Sequence, residues 1–157
     1  MALGVVTVNV NGVRATARRG GLDWIKAQLD SGEVQVICLQ EVRATTEQLL
    51  EELDKANLGE LKVAHDSSAR LGHAGVAILS TLPMAKVKTG IGPKEFADTG
   101  RYVQGTIKTK KGKYDDLQIE DINDTQYLLM QSSDYGNGRY IIIPKNAIEI
   151  DWEYFYS

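Results

Sequence analysis

Glu41 follows directly on the run Val36-Ile37-Cys38-Leu39-Gln40, so an apolar stretch ends abruptly in a carboxylate. A run of this kind reads as a buried strand. A carboxylate fixed at the mouth of a strand is the right ligand for a hard cation such as Mg²⁺, which prefers oxygen donors and keeps several of its waters. Upstream, Val5-Val6-Thr7-Val8-Asn9-Val10-Asn11 reads as a second strand ending in two asparagines and Gly12. Side by side, the two strands would bring Asn9, Asn11 and Glu41 together at their C-terminal ends, the edge where open α/β sheets bind ligands. Asn9 and Asn11 carry two readings. They orient a metal shell or a phosphate, or they do turn chemistry, since Asn-Gly is a common turn pair.

The elements that must hold these residues alternate. Residues 5–10 and 34–39 read as strands, and residues 21–30 as a helix with Leu22, Ile25 and Leu29 near helical spacing and Ala27 fitting less well. Trp24 in that helix is expected in the core. Residues 46–57 read as a second helix, with Thr46 as N-cap and Leu49, Leu50 and Leu53 as its buried stripe. Residues 61–65 and 76–79 read as strands paired across the loop 67–75, and residues 102–107 as another strand. The expected fold class is α/β: half of an α/β sandwich, a mixed sheet with helices on one face, completed by a C-terminal β-hairpin. The hairpin is read from apolar runs at 126–131 and 139–143, joined by a loop containing Asn137-Gly138, with Pro144 at the end of the second run. Residues 147–150 read as a third strand or a short turn. The aromatic cluster Trp152–Tyr156 sits beside Asp151 and Glu153, which favours packing over base stacking.

The chain changes character near residue 110. Through residue 112 it holds 15 Lys/Arg against 12 Asp/Glu; beyond it, 3 against 9. Six of the seven tyrosines lie in the second part, and thirteen of the fifteen glycines in the first. The division expected is a body at 1–112 and a β-rich acidic tail at 113–157, joined by natural fusion or by engineering. A tail this short has little core of its own and is expected to lay its apolar face on the sheet. Cys38, the lone cysteine, lies inside an apolar strand and reads as a small buried hydrophobe, not a nucleophile. No apolar run approaches the ~18 residues of a membrane span. The N-terminus lacks the pattern of a secretion signal, so a cytoplasmic location is expected. No Walker-type phosphate loop, Cys/His zinc spacing or Ser-His-Asp motif occurs.

Five stretches in fixed order carry a family resemblance: Val8-Asn9-Val10-Asn11-Gly12-Val13-Arg14-Ala15, Gly21-Leu22-Asp23-Trp24, Leu39-Gln40-Glu41-Val42-Arg43, Gly72-His73-Ala74-Gly75-Val76-Ala77-Ile78-Leu79-Ser80 and Gly100-Arg101-Tyr102. Over residues 5 to 107 the chain resembles the first half of the exonuclease III / AP endonuclease family of Mg²⁺-dependent DNA-repair phosphodiesterases. The resemblance implies Glu41 as metal ligand and Asn9 and Asn11 as catalytic orienters. It implies Arg14, Arg43, His73 and Arg101 as DNA-facing residues, His73 near the minor groove. Some family members carry Asp where this chain has Asn11. The family's later motifs, a strand followed by a tyrosine, a Gly-Asp-x-Asn turn and a final Asp-His pair, do not occur in these 157 residues. The expectation is a truncated or chimeric relative with a Mg²⁺ ligand but without full catalysis. Two alternatives stand beside it: an active nuclease whose site is rebuilt with a tail carboxylate such as Asp115, Asp116 or Asp121, and a non-catalytic nucleic-acid binder. An uncovered sheet face is expected to drive homo-oligomerisation.

Overall fold

The computed structural model describes residues 3–90 and 97–108 with their side chains, and the strand backbone of 114–121, 126–133 and 139–144. The unbroken apolar runs become the centre of a four-stranded mixed sheet. Its strands β1 (Val5–Asn9), β2 (Val36–Gln40), β3 (Lys62–Asp66) and β4 (Val76–Ser80) lie in the order β1-β2-β4-β3. β1 and β2 run parallel, from Val5 opposite Val36 to Asn9 opposite Gln40. β4 is antiparallel to both β2 and β3. Every residue of β2 and β4 is buried, as expected of strands covered on both faces.

Alternation along these strands sends side chains to two separate cores. Val6, Ile37, Leu39, Ala77 and Leu79 meet the helices α1 (Val13–Arg18), α2 (Gly21–Asp30) and α3 (Thr46–Lys55), which contribute Val13, Leu22, Ile25, Leu29, Leu49 and Leu53. Val5, Val36, Cys38, Ala64, Val76 and Ile78 meet Val103 and Ile107 on the opposite side. Those two belong to a second, antiparallel sheet of β5 (Met84–Thr89), β6 (Tyr102–Lys108), β7 (Tyr114–Asp121), β8 (Gln126–Ser133) and β9 (Arg139–Pro144), ordered as in sequence. The layers are therefore helices, mixed sheet and antiparallel sheet.

The α/β class, the helices on one face and the C-terminal hairpin (β8 with β9) are as read from sequence. Several details are corrected. The side of the first sheet away from the helices is not bare: among the described residues, Val103 and Ile107 of β6 pack on it. The tail strands extend the second sheet edgewise: β7 pairs with β6 from Tyr102–Glu120 to Lys108–Tyr114, across the compositional change near residue 110. Helix α1 and strand β5 were not anticipated. Helix α3 is capped by Thr45, not Thr46. Leu50 is 47% exposed and Trp24 40%. Leu50 sits one residue, about 100° of helical rotation, from Leu49, and Trp24 is similarly turned away from Leu22 and Ile25. Ala27 is exposed. Cys38 is fully buried, and desolvation pushes its thiol up to about 12. The turn at 134–138, residues 147–150 and the Trp152–Tyr156 cluster lie outside the described residues. Among the described residues no helix is long and apolar enough to cross a membrane.

Candidate functional site

The chain leaving β1 and the chain leaving β2 stay in step after the strands end. Val10 N–H donates to the Gln40 carbonyl at 3.0 Å, Gly12 N–H to that of Glu41 at 2.8 Å, and Val13 N–H to that of Val42 at 3.0 Å. Asn9, Asn11 and Glu41 thus share one edge, as the strand reading required. Gln40, buried beneath them, donates to Thr7 Oγ1 and to the Cys38 carbonyl, which fixes the end of β2.

This edge is held in uncommon backbone conformations. Asn11 (φ 45°), Glu41 (φ 51°), Arg43 (φ 51°) and Ala74 (φ 46°) are non-glycine residues in the left-handed region. Such conformations cost energy, persist only where surrounding bonds over-determine them, and concentrate at functional sites. The bonds are present. Val42 N–H donates to the Gly75 carbonyl at 2.9 Å, Arg43 N–H to that of Ala74 at 2.8 Å, and Gly75 N–H to that of Gly100 at 2.9 Å. At Gly100 (φ 68°) only glycine fits, since a Cβ there would lie 2.5 Å from Ser68 N and 3.0 Å from Gly75 N.

Side chains follow. Glu41 pairs with Arg43, Nη2 to Oε2 at 2.8 Å. Asn9 Oδ1 accepts the Asn11 N–H at 2.9 Å, so turn chemistry operates here, and Asn11 is exposed. Arg14 is exposed on α1. His73 and Arg101 are exposed and line a cleft of about 340 Å³ with Ser68, Arg70, Ala74, Asp98 and Thr99. Arg14 stands apart on α1; the other predicted residues fall into two adjoining groups, the Asn9–Asn11–Glu41–Arg43 edge and the His73–Arg101 cleft, stitched together through Ala74, Gly75 and Gly100.

Sequence reasoning missed three residues that build this region. Arg70 adds a second arginine to the cleft, and its place beside Gly72-His73 was the available signal. Asp66 is buried at the end of β3 and accepts the Tyr102 N–H at 3.1 Å, which ties Arg101's neighbour down. Burial pushes its carboxyl up, and the N–H groups of Tyr102, Gly90 and Arg101 oppose that only in part. His65 lies beneath Gly75, with Nε2 within 3.6 Å of where a Cβ on that glycine would stand. Its Nδ1 is 2.9 Å from Thr46 Oγ1, and Nε2 is buried with no hydrogen-bond partner among the described residues. Burial pushes the imidazole down to about 4, against the weaker pull of the Glu47 carboxylate. Among the described residues no three His, Cys, Asp or Glu side chains converge on a possible metal position.

Known proteins share sequence and fold with this chain. The profile of the Endonuclease/Exonuclease/phosphatase family matches residues 6–143, running through the compositional change near residue 110. Recombination repair protein 1 of Drosophila melanogaster is 36% identical over 103 residues, covering 64% of this chain and 14% of that protein. DNA repair nuclease APEX1 of Danio rerio is 28% identical over 99 residues, covering 63% of this chain and 31% of that one. The chain thus spans less than a third of the length of either relative. In fold it is similar to the AP endonuclease LMAP from Leishmania major, with a TM-score of 0.57 at 16% identity, covering 77% of this chain and 40% of that structure.

Proposed function

From a chain that belongs to the Endonuclease/Exonuclease/phosphatase family, in its exonuclease III / AP endonuclease branch, we propose a DNA-binding, Mg²⁺-ligating half-site of a DNA-repair phosphodiesterase. By itself this half-site holds DNA without hydrolysing it efficiently. The observation that carries the reading is the common edge: Gly12 bonded to the Glu41 carbonyl at 2.8 Å and the Glu41 carboxylate held at 2.8 Å by Arg43.

Glu41 is the metal ligand in this reading. Mg²⁺ takes one or two carboxylates, waters and substrate phosphate; Glu41 offers one carboxylate, whose Oε2 is held by Arg43, so the remaining ligands would be waters and substrate phosphate. When bound, the cation supplies polarisation of a phosphate and stabilisation of a leaving oxygen. The protein's own residues do the rest. Asn9 and Asn11 orient groups at the edge, with Asn9 also fixing the turn. Arg43 holds Glu41 in place and presents a cation beside it. Arg14, His73 and Arg101 face DNA, where contacts to phosphate set affinity and register and carry no sequence preference. The Gly-Asp-x-Asn and Asp-His motifs absent from these residues leave no identified general base. Loss of one member of a cooperating catalytic set forfeits most of the rate. The strands at 114–121, 126–133 and 139–144 act as scaffold by extending the second sheet, in a reducing cytoplasm where the buried Cys38 stays a thiol.

The test pairs binding with cleavage on duplex DNA carrying an abasic site, with Mg²⁺ and with EDTA. Expected are binding that weakens with salt, with a log–log slope of about −2 to −3 for the arginines named, and cleavage no faster than in EDTA. Efficient Mg²⁺-dependent cleavage that disappears in Glu41→Ala would overturn the non-hydrolytic part. Binding indifferent to salt would overturn the DNA-facing part.

A further inference from the structure

Leu71 is 79% exposed, far more than the other exposed large apolar residues among those described: Trp24 at 40%, Val87 at 46% and Leu50 at 47%. Single apolar side chains on a surface are ordinary. What distinguishes Leu71 is how it is held and what surrounds it. His73 N–H donates to the Arg70 carbonyl at 3.3 Å, closing a four-residue turn over Arg70, Leu71, Gly72 and His73. Gly72 has φ 74° and Leu71 is not left-handed, the pattern of a type II turn with glycine at its third position. Arg70 N–H is in turn bonded to Ser68 Oγ at 3.1 Å. The turn therefore fixes the backbone that carries Leu71, so little backbone freedom is lost when the side chain makes a contact. The residues on either side, Arg70 and His73, line the cleft that also holds Arg101. Asp98 on the same cleft disfavours phosphate at its own position, which leaves the Arg70–His73 rim beside Leu71 as the side suited to a phosphate backbone.

We propose that Leu71 is a wedge that enters the base stack of duplex DNA at a step that is already open, while Arg70, His73 and Arg101 hold the flanking phosphates. The inference rests on the DNA-binding role proposed above and adds to it a preference for interrupted duplexes. Apolar side chains inserted between base steps are a known way for proteins to grip deformed DNA, and each intact step resists unstacking. One leucine returns less on burial than an intact step costs to open. It therefore gains at a gap and gains nothing on continuous duplex.

The experiment is fluorescence anisotropy of the full chain with two labelled duplexes, one continuous and one lacking a single nucleotide, in EDTA to suppress cleavage. The wild type is expected to bind the gapped duplex about tenfold more tightly, the worth of burying most of one leucine. Leu71→Ala should lose that factor on the gapped duplex and bind the continuous one within about twofold of wild type, as expected for a surface substitution. Leu71→Met, which keeps the apolar volume, should retain the preference. The thermal transition of Leu71→Ala should match wild type, because the side chain joins neither core. The wedge is overturned if Leu71→Ala binds the gapped duplex like wild type, or loses equally on both. It is overturned on its own if Arg101→Ala weakens both duplexes while Leu71→Ala weakens neither. Absence of salt-dependent binding by the wild type to either duplex overturns the DNA-binding reading and the wedge with it.

Discussion

β4 and β5 are consecutive strands with opposite surroundings. All five residues of β4 are buried, and of the six in β5 only Met84 reaches the core. The cause is position. β4 lies inside the first sheet between the helices and β6, whereas β5 is the edge of the second sheet. Lys86 and Lys88 and an irregular register between Ala85 and Lys88 discourage further pairing at that edge. The chemistry follows the same division. Arg101 leads into β6 of the second sheet, whereas Asn9 ends β1, Glu41 and Arg43 follow β2, and His73 lies in the loop between β3 and β4, all of the doubly covered sheet. Those strand ends cannot shift without disturbing two cores at once, and that rigidity is what a site on short loops requires.

The sharpest way to break this comparison is to truncate one side chain in each strand. Ile78 is fully buried in β4 and Val87 is 46% exposed in β5. Ile78→Ala should cost about 3–4 kcal/mol through lost burial and a residual cavity. Val87→Ala should fall within about 0.5 kcal/mol of wild type. Urea unfolding monitored by circular dichroism gives both numbers. Equal losses would mean that β5 is covered in solution by something the chain's own layers do not provide.

A smaller effect probes the seam between the first sheet and α3. His65, on β3, is held neutral by burial, its value pushed down to about 4 from an ordinary 6.5. A histidine depressed in the folded state contributes its full stability above the unfolded value near 6.5 and loses it as pH falls toward 4, because the unfolded chain takes up the proton first. Between pH 7 and pH 5 the loss should be about 2 kcal/mol. Asp66, whose carboxyl is raised by burial, contributes in the opposite sense, gaining stability as pH falls through its folded value. The informative quantity is therefore the difference between wild type and His65→Gln, each unfolded in urea at both pH values. A variant with the same pH dependence as wild type would show that His65 protonates freely in the folded protein.

What could be read in the sequence, and what could not, follows the same physics. β2 and Glu41 were legible because a strand buried on both faces is an unbroken apolar run, and its end is marked by the first charge. The pairing of β3 with β4 was legible from two strand-like stretches separated by a turn-rich loop. β5 was not, because an edge strand facing water carries lysines where a buried strand carries Val and Ile. α1, at six residues, is too short to display a helical period. Trp24 and Leu50 were misplaced by a single step around their helices, a matter of angle and not of composition. The cleft was only half visible. Its shape depends on Gly75 bonding Gly100, a long-range backbone contact without a local signature. The left-handed residues at the Glu41 edge likewise arise from cross-loop bonds that no short window contains.

The smallest predicted effect separates the helix starts. α3 begins with a complete capping box: Thr45 Oγ1 accepts the Gln48 N–H at 3.2 Å, and Gln48 Oε1 accepts the Thr45 N–H at 3.0 Å. α1 and α2 begin at Gly12 and Gly20 with no side-chain cap. The first turns of α1 are instead held by the site itself, through Gly12 N–H to the Glu41 carbonyl and Val13 N–H to that of Val42. A helix tied down by tertiary bonds can do without a cap, and one that carries its own cap is less dependent on its neighbours. Thr45→Ala should therefore cost about 1 kcal/mol, and Thr45→Ser only a few tenths, since serine offers the same oxygen. Neither should alter DNA binding, because Thr45 is not among the DNA-facing residues and its cap bonds stay within α3. A Thr45→Ala variant with native stability would show that packing of Leu49 and Leu53 fixes the start of α3 without help. A variant that lost DNA affinity in proportion to stability would show that the cap and the Glu41 edge form one cooperative unit, joining the helical face to the site more tightly than separate cores imply.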